Sequence, residues 1–140
     1  MRMMAKTITL IAIACLLIPL LIVVAGNVNY ATGAPVEINL PAIDETELPP
    51  EVQAWIEERI EEPINTTLVH EDNQYILVAR GMQPTAGYTI QINKVEKADG
   101  NIVVHTETQD PDPDDMVAQV ITFPYDLTVI DYQGLPVRFE

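Results

Sequence analysis

The longest apolar run of the chain covers residues 8–25 and is interrupted only by Thr9 and Pro19. Eighteen residues in a helix span roughly 27 Å, close to the thickness of a bilayer core. The only basic residues before the run are Arg2 and Lys6, and the next one is Arg59. By the positive-inside rule, this asymmetry predicts that residues 1–26 are a transmembrane anchor or a signal peptide, with the remainder outside the cell.

Three fates of this segment stay open. An uncleaved anchor would leave a single-pass membrane protein whose carboxy-terminal domain is extracytoplasmic, and the length of the run favours this fate. A signal peptidase could instead cut after Val23-Val24-Ala25 and release a secreted protein. A lipoprotein would be attached through Cys15, although ten further mostly aliphatic residues follow that cysteine. All three predict export.

The pattern changes twice between residues 27 and 61. Four prolines and no sustained period of 2 or 3.6 in residues 27–50 predict an extended linker. Residues 51–61 then combine glutamates with apolar residues at helical spacing. This spacing predicts one amphipathic helix whose apolar stripe packs on its own domain. The stripe consists of Val52, Trp55, Ile56 and Ile60.

After Thr66 the pattern is that of short strands. Residues 74–80 contain the run Ile76-Leu77-Val78, which is apolar on both faces as in a central strand, whereas residues 88–93 alternate as in a half-buried one. The phase of this alternation breaks between Asn93 and Val95, which predicts a β-bulge.

The turn Ala98-Asp99-Gly100-Asn101 predicts a hairpin, because Asp-Gly supplies the positive φ angles of a tight turn. Further strands are predicted at residues 102–106, 117–123, 125–130 and 137–139. The predicted fold is mainly β, a small antiparallel sandwich or barrel of five to six strands. The strands occupy residues 66–140, and with the preceding helix they make an extracytoplasmic domain over residues 51–140.

The amino-acid composition excludes several classes of function. Lys and Arg total 7 against 21 Asp and Glu, a net charge of −14, so a nucleic-acid partner is excluded. The chain has no serine, and its one cysteine lies in the apolar run. Its histidines, His70 and His105, have no second ligand at metal-binding spacing. We therefore expect a non-enzymatic protein with no cofactor and no metal. A small hydrolase would rest only on the abundant carboxylates.

The densest group of oxygen ligands is Asp110-Pro111-Asp112-Pro113-Asp114-Asp115. Calcium needs six to eight oxygens on a chain that curls around the ion. Two prolines stiffen this stretch, and it has no glycine for the sharp turn of a calcium loop. The sequence favours a solvated connection, and weak calcium binding stays open.

The most informative local feature is the segment Gly81–Tyr88, which joins two apolar strands. Its glycines and its proline predict a stiff loop with fixed ends. We predict structural roles for Gly81, Gly87 and Tyr88. The residues with no expected core role, and therefore predicted to contact a partner, are Met82, Gln83, Pro84 and Thr85.

This loop and its flanks resemble the PrcB carboxy-terminal domain family, named for a stabilising subunit of a bacterial surface protease complex. The family has a hydrophobic strand, a Gly-x-x-Pro-Thr-Gly-Gly-Tyr loop, a second strand and a later Pro-Tyr pair. The chain departs from that pattern at Ala86, where the family usually has glycine. The matching segments are Tyr75–Arg80, Gly81–Tyr88, Thr89–Ile92, Gln119–Thr122 and Pro124-Tyr125, within residues 68–130.

The resemblance implies a module that binds and stabilises a secreted or surface protease, or another envelope protein, with the membrane contacted through the amino-terminal segment. The core Pro84-Thr85-Ala86-Gly87-Tyr88 is also similar to one loop of chagasin-like cysteine-protease inhibitors. That likeness implies the alternative function, direct protease inhibition by the loop Gly81–Tyr88. The oligomeric state stays open.

Overall fold

The computed structural model describes residues 33–140, so the anchor or signal peptide predicted at residues 1–26 lies outside the described part. Within residues 33–140 no helix is long and apolar enough to cross a membrane. The described residues form seven strands, one α-helix and one 3-10 helix. The strands are β1 Val36–Ile38, β2 Pro63–His70, β3 Asn73–Arg80, β4 Thr89–Ala98, β5 Asn101–Gln109, β6 Tyr125–Asp131 and β7 Val137–Phe139; the helices are α1 Pro50–Glu57 and the 3-10 helix Glu45–Glu47.

These strands form two open sheets, a four-stranded sheet in the order β1-β4-β5-β7 and a three-stranded sheet in the order β2-β3-β6. The sheets pack face to face around a shared apolar cluster, to which Ile76 and Val78 contribute from one side and Val95 and Val104 from the other. Of the two predicted architectures, the described residues show two packed sheets and no closed barrel. Seven strands replace the predicted five to six, and the β5–β7 pair is parallel, which corrects the antiparallel prediction.

The central strand β3 is buried on both faces, as its sequence predicted. Its alternate residues Ile76 and Val78 face the other sheet, whereas Tyr75 and Leu77 face helix α1. Trp55, only 8% exposed, packs from α1 onto this second face. The domain therefore has three layers, with the three-stranded sheet in the middle.

The helix is shorter than the predicted span 51–61. It ends at Glu57, and a turn over residues 58–62 leads into β2 at Pro63, not at Thr66. Pro63 pairs with Arg80 in the sheet. Because proline disfavours a helical conformation of the residue before it, the chain has to leave the helix ahead of Pro63.

The linker predicted at residues 27–50 is corrected from Val36 onward. Strand β1 pairs with β4, and Ile43 and Leu48 pack against the cluster under α1. The Tyr125 hydroxyl donates a hydrogen bond to Glu45 Oε2 at 2.6 Å. Burial, and then this carboxylate, raise the pKa of Tyr125 to about 12. A three-residue strand is too short to show a period, so the sequence pattern gave no sign of it.

The predicted hairpin and bulge are both present in the four-stranded sheet. Asp99 and Gly100 have φ angles of 50° and 75°, and the β4–β5 register shifts between Ile92 and Lys94. The bulge receives a polar contact from the other sheet, because the Ile92 amide donates to Asp126 Oδ2 at 2.7 Å. The strand predicted at residues 117–123 is absent, and in its place lies a loop segment described below.

Candidate functional site

The loop Gly81–Tyr88 links β3 of the three-stranded sheet to β4 of the four-stranded sheet, so it crosses one end of the sandwich instead of closing a hairpin. Its beginning is fixed to the turn after α1, where the Met82 amide donates to the Glu61 carbonyl at 3.1 Å. The loop is thus held by the helix layer as well as by both sheets.

A second loop segment, residues 116–123, runs beside the first. Gln83 and Thr122 exchange two backbone hydrogen bonds of 2.8 and 3.0 Å, and the Ala86 amide donates to the Ala118 carbonyl at 3.0 Å. The Thr122 hydroxyl donates to the Thr85 carbonyl at 2.9 Å. We call residues 81–88 and 116–123 together the loop pair. One bridging residue pair and one further backbone hydrogen bond do not form the continuous ladder of a β-strand. The prediction of a strand at residues 117–123 is therefore wrong.

Large exposed apolar side chains are concentrated on the loop pair. Of the eight large apolar side chains that are exposed in residues 33–140, five belong to the loop pair. We call these five the apolar patch. Exposed apolar side chains concentrated on one element are typical of interaction surfaces, since scattered ones would be spread over the whole protein. The patch consists of Met82, Met116, Val120, Ile121 and Phe123.

The four residues predicted to contact a partner do not share one environment. Met82 is 62% exposed and Pro84 is also exposed, whereas Gln83 and Thr85 are half-buried. The Gln83 side-chain amide donates to the Arg80 carbonyl at 3.0 Å. The backbones of Gln83 and Thr85 make the contacts with Thr122 that join the two segments of the loop pair, whereas Met82 and Pro84 remain available to a partner.

Arg80, which the sequence analysis did not single out, fixes the base of the loop. Its guanidinium donates to the carbonyls of Thr89 and Gln109 at 3.2 and 2.9 Å and lies 2.6 Å from Asp110 Oδ1. It also lies over the ring of Tyr88 at 5.1 Å from the centroid. One side chain thus joins the end of β3 to the start of β4 and the end of β5. In the sequence, the signal for this role was the position of Arg80 directly before Gly81.

Gly87, for which the sequence predicts a structural role, lies close to the acidic connection and has a positive φ angle. Its φ angle is +95°, and a Cβ atom there would lie 2.8 Å from Pro111 Cβ and 3.0 Å from Val117 Cγ1. Only glycine combines this backbone conformation with such close neighbours. Gly87 therefore lets the acidic connection at residues 110–115 pack against the loop pair.

No group of three or more His, Cys, Asp or Glu side chains in residues 33–140 is placed to hold a metal ion. In the segment Asp110–Asp115, the Asp112 amide donates to Asp115 Oδ2 at 3.1 Å, and the Asp115 amide donates back to the Asp112 carbonyl. One of these carboxylates thus bonds to its own loop.

A separate charged cluster lies on the four-stranded sheet around Glu96, which is 8% exposed. Glu96 Oε2 lies 2.5 Å from Lys94 Nζ, and Oε1 lies 2.8 Å from His105 Nε2. Lys94 above all, and then His105, lower the pKa of Glu96 below its ordinary value of 4.5. The carboxylate in turn raises the pKa of Lys94. His105 is half-buried in this cluster.

The cluster predicts a pH-dependent contribution to stability. A carboxyl group whose pKa is lowered by folding stabilises the folded state above its unfolded pKa, and this contribution is lost as the pH falls through the folded value. We expect Glu96→Gln to lower the melting temperature at pH 7. The difference from the parent protein should shrink steadily as the pH falls from 4.5 into more acidic buffer. Melting curves across that range, followed by circular dichroism, test this, and a difference independent of pH would contradict it.

The loop Gly81–Tyr88 and the strands around it match one family of known proteins. Residues 74–131 match the family model described as PrcB C-terminal, which supports the resemblance seen in the sequence. The matched region begins in β3, contains both segments of the loop pair and ends with β6. Searches of curated proteins and of solved structures return no match.

Proposed function

Since residues 74–131 match the PrcB C-terminal family, we propose that the protein is an exported, protease-associated binding module with no catalytic activity of its own. In this proposal it binds a secreted or surface protease, or another envelope protein, and stabilises it. The observation that carries the proposal is the loop pair with its apolar patch, which lies inside the matched region.

The geometry of the loop pair supports a binding role. Both of its segments are bonded to one another, and the base is fixed by Arg80. A surface that is already ordered loses little conformational entropy when a partner binds, so more of the contact energy appears as affinity. Met82 and Ile121, each 62% exposed, would be covered by that partner.

The absence of catalysis and the site of action are supported by the sequence. A chain without serine, whose one cysteine lies in the apolar run, has no serine nucleophile and no cysteine in residues 33–140. The apolar run at residues 8–25, preceded by Arg2 and Lys6, supports export and a single-pass anchor in the cell membrane. Cleavage after Ala25 would make the same module a secreted one.

A second candidate function is direct inhibition of a protease. Met82 and Pro84 are exposed at the start of a loop whose ends are fixed, which is the arrangement needed to enter an active-site cleft. A stabiliser would extend the lifetime of the protease without changing its turnover. An inhibitor would lower turnover in competition with substrate.

The test uses the full chain in mild detergent, mixed with secreted proteases of the source cell, and measures lifetime and turnover separately. The variant Met82→Ala/Ile121→Ala removes exposed side chains, so its stability should stay within about 0.5 kcal/mol of the parent. It should bind the protease about tenfold more weakly. Val36→Ala, which truncates an exposed apolar residue of β1, is the matched control. Equal protease binding by the double variant and the parent would contradict a role for the loop pair.

A further inference from the structure

A cleft of about 440 Å³ lies between the two sheets on the side where β2 and β7 are the edge strands. Its walls come from the inward-facing side of β2, from β7 and from the chain leading into β7. Within residues 33–140, β2 pairs only with β3, and β7 pairs only with β5. Both strands therefore present unpaired backbone groups beside the cleft. Lining residues include Thr67, Val69, Gln74, Leu135, Val137 and Phe139.

The cleft contains a buried polar atom without a partner. Gln74 is 4% exposed, and no hydrogen bond to its Oε1 is made within the described residues. Gln74 is two positions before Ile76 on β3, so it faces the space between the sheets. Leaving a buried amide oxygen unpaired costs stability, and a group that donates to it would recover that cost.

The lining is also uncharged, although the chain has a net charge of −14. Natural edge strands are usually protected against pairing by charged residues. Three of the four edges follow this rule, with Glu37 on β1, Asp131 on β6 and Arg138 on β7. Strand β2 contains no Asp, Glu, Lys or Arg from Pro63 to His70. It is the longest of the four edge strands and the one without a charge.

We propose that this cleft binds an extended, uncharged peptide segment of a partner protein, which adds to β2 as a further strand and donates a hydrogen bond to Gln74 Oε1. The backbone of the peptide would pair with β2, and every second side chain would enter the cleft toward Val137 and Phe139. A charged peptide would lose its hydration there without gaining an opposite charge.

This site is separate from the loop pair and does not depend on the function proposed above. Gln74 pairs with Val69, at the end of the β2–β3 pair away from the Pro63–Arg80 end that leads into the loop. Val69 and Tyr132, two of the three large exposed apolar residues outside the apolar patch, line the cleft. Their exposure is the expected condition of a site without its ligand.

The experiment selects peptides from a phage library of random 12-residue sequences on the full chain in mild detergent, after depletion on the variant Val69→Lys. A lysine at this half-exposed edge position supplies the missing protective charge. Enriched sequences should be uncharged and alternate apolar with hydrogen-bond-donating residues. Synthetic peptides of these sequences should bind Val69→Lys at least about tenfold more weakly than the parent. Val36→Lys, on the edge strand β1, should bind like the parent.

The variant Gln74→Met distinguishes a role of Gln74 in peptide binding from a role in stability alone. The thioether has nearly the shape of the amide side chain but leaves no unpaired oxygen, so the melting temperature should rise. Peptide affinity should nevertheless fall about fivefold, because the hydrogen bond is gone. Peptide binding should also slow amide hydrogen exchange in β2, measured by NMR.

Three results would overturn the proposal. One is that no peptide is enriched over the Val69→Lys depletion. Another is that Gln74→Met binds the selected peptides as tightly as the parent. The third is that the peptides slow exchange in the loop pair and leave β2 unchanged. None of these results bears on protease binding by the loop pair, which is measured with the Met82→Ala/Ile121→Ala variant.

Discussion

Replacing Gly81 by alanine is expected to lower the free energy of unfolding by about 2–4 kcal/mol, because two costs combine at this position. The φ angle of Gly81 is +70°, a conformation that an L side chain rarely adopts. A Cβ atom would also lie 2.7 Å from the Pro63 nitrogen and 2.9 Å from the Glu62 carbonyl carbon. Both are backbone atoms, so the contact cannot be relieved by a side-chain rotation. Urea denaturation followed by Trp55 fluorescence measures the loss.

Gly134→Ala is the matched control for Gly81→Ala. Its φ angle is +66°, nearly the same, but nothing lies within 4 Å of the added Cβ. This variant should lose only the conformational cost of about 1–2 kcal/mol. The difference between the two variants isolates the contact of the loop base with the start of β2. If both lose the same amount, the close approach of Gly81 to Pro63 is not part of the folded state.

Truncating Trp55 to alanine is expected to cost about 3–5 kcal/mol, the usual range for a buried tryptophan. Trp55 belongs to the cluster between α1 and the three-stranded sheet, where Tyr75 and Leu77 form the opposite wall. Losing the indole would leave a cavity in that layer, and α1 is too short to be stable without tertiary packing. Urea denaturation followed by circular dichroism measures the cost, since the variant has no tryptophan.

Trp55→Phe is the control, because it keeps an aromatic ring in the same layer. It should lose clearly less stability than Trp55→Ala. The guanidinium of Arg59 lies 5.6 Å from the ring centroid of Trp55, and such a contact near the surface adds only about 0.5–1 kcal/mol. A cost below about 1 kcal/mol for Trp55→Ala would mean that the helix does not pack on the sheet.

The sequence predicted those parts of the fold whose signals are local. The two-sided apolar pattern of β3, the Asp99-Gly100 turn and the phase break in β4 each reside in a few consecutive residues. Strand β1 and the parallel β7 depend on pairing with distant partners, and three residues carry too little pattern to reveal it. At residues 117–123 the error is the opposite one, because the sequence predicts a strand that the structure does not contain. Val120 and Ile121 give it a strand-like composition, yet their side chains face solvent.

The candidate site was predicted in part for the same reason. Glycines and a proline identify the loop Gly81–Tyr88 from its own residues, and the family resemblance adds the Pro124-Tyr125 pair. Nothing local indicates that residues 116–123 lie against that loop. Nor can composition distinguish Gln83, which faces a backbone carbonyl, from Met82, which faces solvent. Such differences depend on the tertiary structure.

The order of strands in the two sheets has a consequence for the rate of folding. Each sheet contains one hairpin of consecutive strands, β4–β5 in one and β2–β3 in the other. Hairpins of this kind form within about 1–10 μs. Strands β1, β6 and β7 join them only after long stretches of chain have closed, and such topologies fold in about milliseconds to seconds. The loop pair is held together by residues on both sides of β4 and β5, so it becomes ordered late, and a newly made chain acquires its binding surface only when folding is nearly complete.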